Sequence, residues 1–311
     1  MIAPTNTDNY THEPKYALIA SIFAVGTVTA LIVLKIIAYW LSGSTAVLST
    51  LADSIVDIAV SIMMLLAVRY SLKPADEQHR HGHGKIEGIA ALFQGAFMAA
   101  AGLFILFEAL HKFMNPEEVQ SHALAIIVAV TAIGMTLVLV SVQKYCLQKA
   151  PSLAIEADYA HYKSDIFLNL AVIIVLFADY KGAPIWFDPL IAIGIAIYFF
   201  IIAGRISLQS LDMLMDKEVS FEHRRRIEAI VNAHEEALGI HDLRTRRSGM
   251  TLHISFDVEM NPDMTLCQSH GVVRELEQEI VTLFPNAEVL IHVDPHGDTA
   301  DTRHKVAGVH H

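Results

Sequence analysis

The sequence predicts an α-helical membrane protein: six transmembrane helices followed by a C-terminal cytoplasmic domain of order α-β-β-α-β. Three observations carry that prediction. The 311 residues are 53% hydrophobic, with a mean hydropathy of +0.43, too apolar for an ordinary soluble domain. The apolar residues gather in six runs, each near the roughly 20 residues that a bilayer demands. From about Ser210 the pattern changes to amphipathic helices and alternating strands.

Residues 1–14 are polar and lack the basic start and apolar stretch of a secretory leader, so a mobile N-terminal tail is expected there. The six-helix domain covers 15–209. Its spans fall at about Tyr16–Leu41, Ala46–Val68, Ile86–Leu110, Ser121–Cys146, Ser152–Tyr180 and Leu190–Ile206. Tyr39 and Trp40 suit an interfacial anchor at the end of the first span. Pro151 precedes the fifth, a position that tolerates proline. Orientation follows from Lys and Arg in the short loops. Arg69, Lys73, Arg80, Lys85, Lys144, Lys149 and Arg205 fall on one side, against Lys112 and Lys181 on the other. The first side is therefore expected to be cytoplasmic, with both termini on it.

The domain at 210–296 begins with an amphipathic helix at Phe221–Ala237, with Ile227, Ile230 and Val231 on one face. Two alternating strands follow, broken by Ser248-Gly249. A second helix at Met264–Phe284 buries Val272, Val273, Leu276, Ile280 and Leu283, and Ala287–Pro295 makes a last strand. This order predicts an open sheet with both helices on one face. A domain of about 85 residues is marginal alone, so oligomerisation or bound metal would support it. The stretch 297–311 has no periodicity and is expected to be disordered.

A formal charge of −11 with no basic patch argues against nucleic acid as a partner. The two cysteines, Cys146 and Cys267, share no short spacing and suggest no disulfide framework. Seventeen histidines are the more informative figure, because they gather with carboxylates in three places.

The first place lies inside the apolar runs. Thr50, Asp53, Asp57 and Ser61 stack on one face of the second span, and Asp158, His161, Asp165 and Asn169 on one face of the fifth. A carboxylate in a bilayer costs on the order of 2.5–3.5 kcal/mol on insertion scales. Two such helices offset that cost by facing one another around a positive charge. Asp53, Asp57, His161 and Asp165 then make a four-ligand set suited to a divalent ion such as Zn²⁺. Helix–helix hydrogen bonding is the plainer alternative, but four ligating types at this spacing on two spans exceed what it needs. Without metal, neighbouring carboxylates in low dielectric cannot all stay ionised. Metal and protons therefore compete for the site, the physical basis of a metal/proton antiporter. Glu156 and Asp158, near the cytoplasmic end of the fifth span, read as entrance or snorkelling charges.

The second place is the loop Asp76–Lys85. Asp76, His79 and His83 are spaced for a second metal site, with His81 as an alternative ligand, and Gly82 and Gly84 let the chain turn tightly. A solvated polar loop fits this stretch equally well. The third is the C-terminal group His241, Asp257, His270, His292 and Asp294, where His292 and Asp294 project to one face of a strand. His253 and His296 are background.

Taken in order, DSxxD at Asp53–Asp57, PADxxHxxGHGK at the loop, HYKSD at His161–Asp165 and HDLRTRxSG…IHxDP resemble the cation diffusion facilitator family, in its bacterial zinc- and iron-efflux branch. The resemblance runs from the first span to about Pro295. It implies a homodimer of six-span protomers in the cell inner membrane, with metallochaperone-like cytoplasmic domains. It implies exchange of cytoplasmic zinc for external protons by alternating access, and no enzymatic activity. It places the transport site at Asp53, Asp57, His161 and Asp165, and a loop site at Asp76, His79 and His83. It also implies a regulatory binuclear site at the dimer contact from His241, His270, His292 and Asp294. Lys85 and Asp216 match an interlocking charge pair. Asp257 departs from the relatives' histidine, and its harder oxygen weakens zinc preference there. His161, in place of another aspartate, favours Zn²⁺ or Cd²⁺ over Mn²⁺, and Fe²⁺ also tolerates such ligands. The rivals from other classes are a membrane-embedded metalloenzyme, which needs an open coordination position, and a metal sensor that moves no ions.

Overall fold

The computed structural model describes residues 13–43, 45–115 and 123–297, which divide into two compact units meeting at Leu211 and Asp212. The tails expected at either end lie almost wholly outside the described residues.

The first unit is a helical bundle: α1 (Lys15–Ser42), α2 (Thr45–Ser71), α3 (Ile86–Met114), α4 (Ala123–Lys149), α5 (Leu153–Tyr180) and α6 (Phe187–Leu214). All six are long and apolar enough to cross a membrane, and no more than 33% of any span is buried within the chain. The remainder is side chains such as Ile22, Leu66, Phe104, Phe107 and Phe177, a surface stable only against lipid or another apolar face. Gly43, with φ 62°, stops α1 by returning its N–H to the Tyr39 carbonyl at 2.8 Å. The sixth helix runs past the expected Ile206 to Leu214, because no Gly or Pro interrupts the stretch Ile206–Leu214.

Small residues set the close approaches. A Cβ added at Gly95 on α3 would lie 2.5 Å from Ser207 Oγ and 3.2 Å from the Ala203 carbonyl on α6. One at Gly102 would lie 3.1 Å from Phe199 Cβ. Polar ties add direction. Lys112 reaches Asp188 at 3.4 Å between α3 and α6, and Ser61 of α2 hydrogen-bonds Tyr162 of α5. Glu87 at the start of α3 is fully buried, accepting from Ser71 at 2.9 Å and from Ser152, the N-cap of α5, at 2.6 Å. The backbone N–H groups of Leu153 and Ala154 also donate to it. One carboxylate thus joins the end of α2 and the beginnings of α3 and α5, at a helix N-terminus where negative charge is favoured.

The second unit holds α7 (Phe221–Ala233), β1 (Gly239–Ser248), β2 (Thr251–Met260), α8 (Leu266–Leu283) and β3 (Ala287–Pro295) in the expected order. The strands lie β1-β2-β3, with β1 antiparallel and β3 parallel to β2. Leu252, Ile254, Phe256, Val258 and Met260 alternate along β2 into one core with Ile227 and Val231 of α7 and Val272, Leu276 and Ile280 of α8. Both helices therefore cover one face, and the odd-numbered residues of β2 belong to the other. A capping box starts α8, with Thr265 and Gln268 bonding each other's backbone N–H. Ahead of α7, Glu218 accepts from the Thr245 hydroxyl at 2.7 Å and from its N–H at 3.2 Å. This pins the incoming chain to β1.

Candidate metal centres

In the membrane bundle the spacing that stacks Asp57 on α2, and His161 with Asp165 on α5, brings three ligand atoms within 4.8 Å of one another. His161 Nε2 lies 3.3 Å from Asp57 Oδ1 and 3.6 Å from Asp165 Oδ2. The imidazole is buried and the two carboxylates are about three-quarters so, at 26% and 23% exposure. One nitrogen facing two oxygens from two helices is most of a tetrahedral site. Asp53 does not join the trio among the described residues. It sits one turn earlier on α2 and is exposed. Asn169, the last member of the α5 stripe, gives its amide to the Asp165 backbone carbonyl at 2.8 Å.

Lys35 was not foreseen from the sequence, and Asp158 was foreseen in another role. Lys35 of α1 donates to the Thr50 carbonyl at 2.8 Å and to Ser54 Oγ at 2.7 Å, and its charge is felt by Asp53, Asp57 and Asp165. Its signal was a lone lysine deep in an apolar run. Asp158, expected as an entrance or snorkelling charge, is fully buried and accepts from Gln143 of α4 at 2.7 Å. The correction follows from its helix face, which packs on α4. Glu156 is exposed, accepting from Gln209 at 3.3 Å.

In the loop, Asp76, His79 and His83 also come within 4.8 Å. Asp76 Oδ1 accepts from the N–H groups of Gln78 at 3.0 Å and His79 at 2.7 Å, and lies 3.2 Å from His79 Nδ1. Asp76 Oδ2 lies 3.2 Å from His83 Nε2. Donation from the His79 backbone N–H leads the causes that hold the Asp76 carboxyl below its ordinary pKa. His83 is buried at the loop's base, with Nδ1 3.4 Å from the Lys73 carbonyl. A carbonyl only accepts, so the tautomer protonated at Nδ1 serves Lys73 and leaves Nε2, on the side of Asp76, as the nitrogen able to ligate. The left-handed turn between the histidines falls on Gly82, φ 74°.

In the C-terminal domain, strand register aligns His241, Asp257 and His292 in one row across the sheet. A break in register between His241 and Arg244 accompanies the left-handed Asp242, φ 48°, held by Arg244 at 2.9 Å through two nitrogens. His241 Nδ1 lies 3.6 Å from Asp257 Oδ2, and its Nε2 3.3 Å from Asp294 Oδ2. Those three form the 4.8 Å group, and His292 Nε2 meets Asp294 Oδ1 at 3.0 Å. Burial is the main cause raising the Asp257 pKa, with Asp294 adding to it and His241 opposing. His270 is not brought to the group within one chain, since it is exposed on α8, which covers the opposite face. Glu259 borders the group, 3.9 Å from His241 Nε2, and holds His296, taken as background, at 2.7 Å.

The transmembrane domain of cation efflux proteins matches residues 20–215, and their cytoplasmic domain matches residues 219–296. A cation-efflux pump FieF of Klebsiella pneumoniae is 40% identical over 278 residues, 89% of this chain and 92% of its own. The FieF pump of Yersinia pestis is 38% identical over 295 residues, 94% of this chain and 98% of its own. The solved metal-bound C-terminal domain of the CzcD transporter from Thermotoga maritima is 25% identical, covering 25% of this chain and 92% of that one with a TM-score of 0.24. The chain belongs to the cation efflux family, and is a multi-pass membrane transporter of metal cations, not an enzyme.

Proposed function

We propose that the chain exports divalent cations of the zinc class, Zn²⁺ first with Cd²⁺ or Fe²⁺ as alternatives, in exchange for protons. The observation that carries this reading is the trio Asp57, His161 and Asp165, two carboxylates and an imidazole gathered within 4.8 Å inside an otherwise apolar bundle. A dication offsets the desolvation of both carboxylates at once, and protons satisfy the same groups when it leaves. Alternation between metal-loaded and proton-loaded states then couples the two flows. Asp53, one turn from Asp57, completes a four-ligand set in the metal-bound conformer.

In the proposed assembly the protein is a homodimer in the cell inner membrane with both termini cytoplasmic, as the Lys and Arg bias argues. Asp76, His79 and His83 form a loop site for the same ions. His241, Asp257, His292 and Asp294 bind regulatory metal, and His270, outside the group in one chain, fits a site completed by dimerisation. Metal there biases the bundle by preferring one of two states. The test is zinc uptake into inverted vesicles under an imposed pH gradient. Asp57→Ala is expected to abolish it, and a protonophore to stop it in the parent. Unchanged uptake by the variant refutes the site, and protonophore-insensitive uptake refutes proton coupling.

A further inference from the structure

Three buried polar atoms near His161 are left over by the contacts described so far. Gln143 gives its amide N–H to Asp158 Oδ2 at 2.7 Å, yet Asp158 Oδ1, Gln143 Oε1 and His161 Nδ1 have no hydrogen-bond partner among the described residues. The three side chains are 0%, 0% and 5% exposed, so bulk solvent does not serve them. Asp158 stands three residues before His161, on the same face of α5, and its charge is felt at the imidazole. The other ring nitrogen, Nε2, is the one turned toward Asp57 and Asp165.

A metal-binding histidine generally donates its second N–H to a carboxylate, carbonyl or water, which fixes both tautomer and ring orientation. Asp158 is the buried carboxylate nearest to His161 along α5, and Gln143 of α4 bonds its Oδ2. We propose that Asp158 is the positioning residue of His161, joined to it through one bound water. That water accepts from Nδ1–H and donates to Asp158 Oδ1 and Gln143 Oε1, so a single molecule satisfies all three atoms. The proton is thereby kept on Nδ1, and the Nε2 lone pair faces the cation. A purely structural link between α4 and α5 accounts for the 2.7 Å bond but not for the three remaining atoms. The inference rests on His161 being a ligand of the transported ion.

The experiment measures initial zinc flux against zinc concentration in proteoliposomes of the full chain. Asp158→Asn keeps the shape and the bond to Gln143, but its carboxamide no longer anchors the imidazole. KM is expected to rise about ten- to hundredfold, the usual cost of losing such a partner, while the maximal rate changes little. Asp158→Glu is expected to recover part of the loss. In the Co²⁺ absorption spectrum, the difference between parent and His161→Ala should be weakened in Asp158→Asn. An unchanged KM, or a fall in maximal rate alone, overturns the proposal. If Asp158→Asn does not reach the membrane, Gln143→Leu decides: a raised KM supports it and an unchanged one overturns it. His161→Ala separates the layers. If that variant transports normally, the site reading itself fails. If it is defective while Asp158→Asn is normal, only the positioning role fails.

Discussion

Replacing Glu87 tests whether one buried carboxylate holds the ends of three helices together. Every partner of Glu87 is a donor: the hydroxyls of Ser71 and Ser152 and the first N–H groups of α5. Glu87→Ala leaves the buried Ser152 hydroxyl and the first N–H groups of α5 without their acceptor, while the half-buried Ser71 hydroxyl keeps the Val68 carbonyl at 2.9 Å. Each buried donor stranded in this way costs about 1–3 kcal/mol, so the variant should lose about 3–5 kcal/mol. Glu87→Gln keeps one acceptor and most of the packing. It forfeits a charge-assisted bond and the favourable charge at the N-terminus, about 1–2 kcal/mol. Thermal unfolding in detergent, followed by loss of the monodisperse peak in size exclusion, should rank parent above Gln above Ala. With about 2–4 °C per kcal/mol for a chain of this order of size, the Ala variant should melt about 10 °C lower. Ser152→Ala should add only the loss of its cap on α5, about 1 kcal/mol, to Glu87→Ala, because the Ser152–Glu87 bond is gone in both. Full additivity, or a Glu87→Ala midpoint equal to the parent's, would refute the reasoning.

Other outcomes follow from the same packing and charge arguments. Gly95→Val sets a branched side chain against the Ala203 carbonyl, and backbone cannot rotate away as Ser207 can. The variant should lose about 1–3 kcal/mol, read as a lower melting point and lower yield, and a neutral result would mean α3 and α6 stand further apart. Asp257 has a pKa raised chiefly by burial, so the folded, metal-free domain holds its proton more tightly than the unfolded chain does. Its ionisation therefore destabilises as pH rises from the unfolded value through the folded one. Asp257→Asn should stabilise the chelator-treated domain at neutral pH and lose that advantage in acid, and a gain that grows on acidification would contradict the sign. Thr265→Ala removes half of a capping box and should cost about 1 kcal/mol, measured as a lower unfolding midpoint of the C-terminal domain in the full chain.

The elements were largely legible because their signals are strong: long apolar runs for the spans, and period-2 and period-3.6 patterns for the C-terminal domain. The end of α6 was misplaced because hydrophobicity fades at Arg205 while helical geometry persists to Leu214. The i, i+4 spacing located Asp57, His161 and Asp165, since one helix turn fixes which side chains share a face. Spacing says nothing about the rotation of a helix against its neighbour, so the exposure of Asp53, one turn from Asp57, was not legible from it. For the same reason Asp158 was assigned to the rim although it faces α4. Lys35, Gln143 and Glu87 act across helix pairs, and no single-helix pattern announces such partners. His270 could be placed on a helix from sequence, but not on the face away from His241.

The strand β3 serves the C-terminal domain twice over. It is the parallel partner that closes the sheet, and it carries His292 and Asp294. Because it is also the last element of the order, a ribosome releases these two side chains only after all six spans have been made. A nascent or prematurely stopped chain would thus possess the Asp57, His161 and Asp165 trio of the bundle while lacking His292, Asp294 and the edge that the C-terminal sheet needs. Loss of the codons for β3 would be felt as a folding defect and a loss of His292 and Asp294 together, not as one without the other.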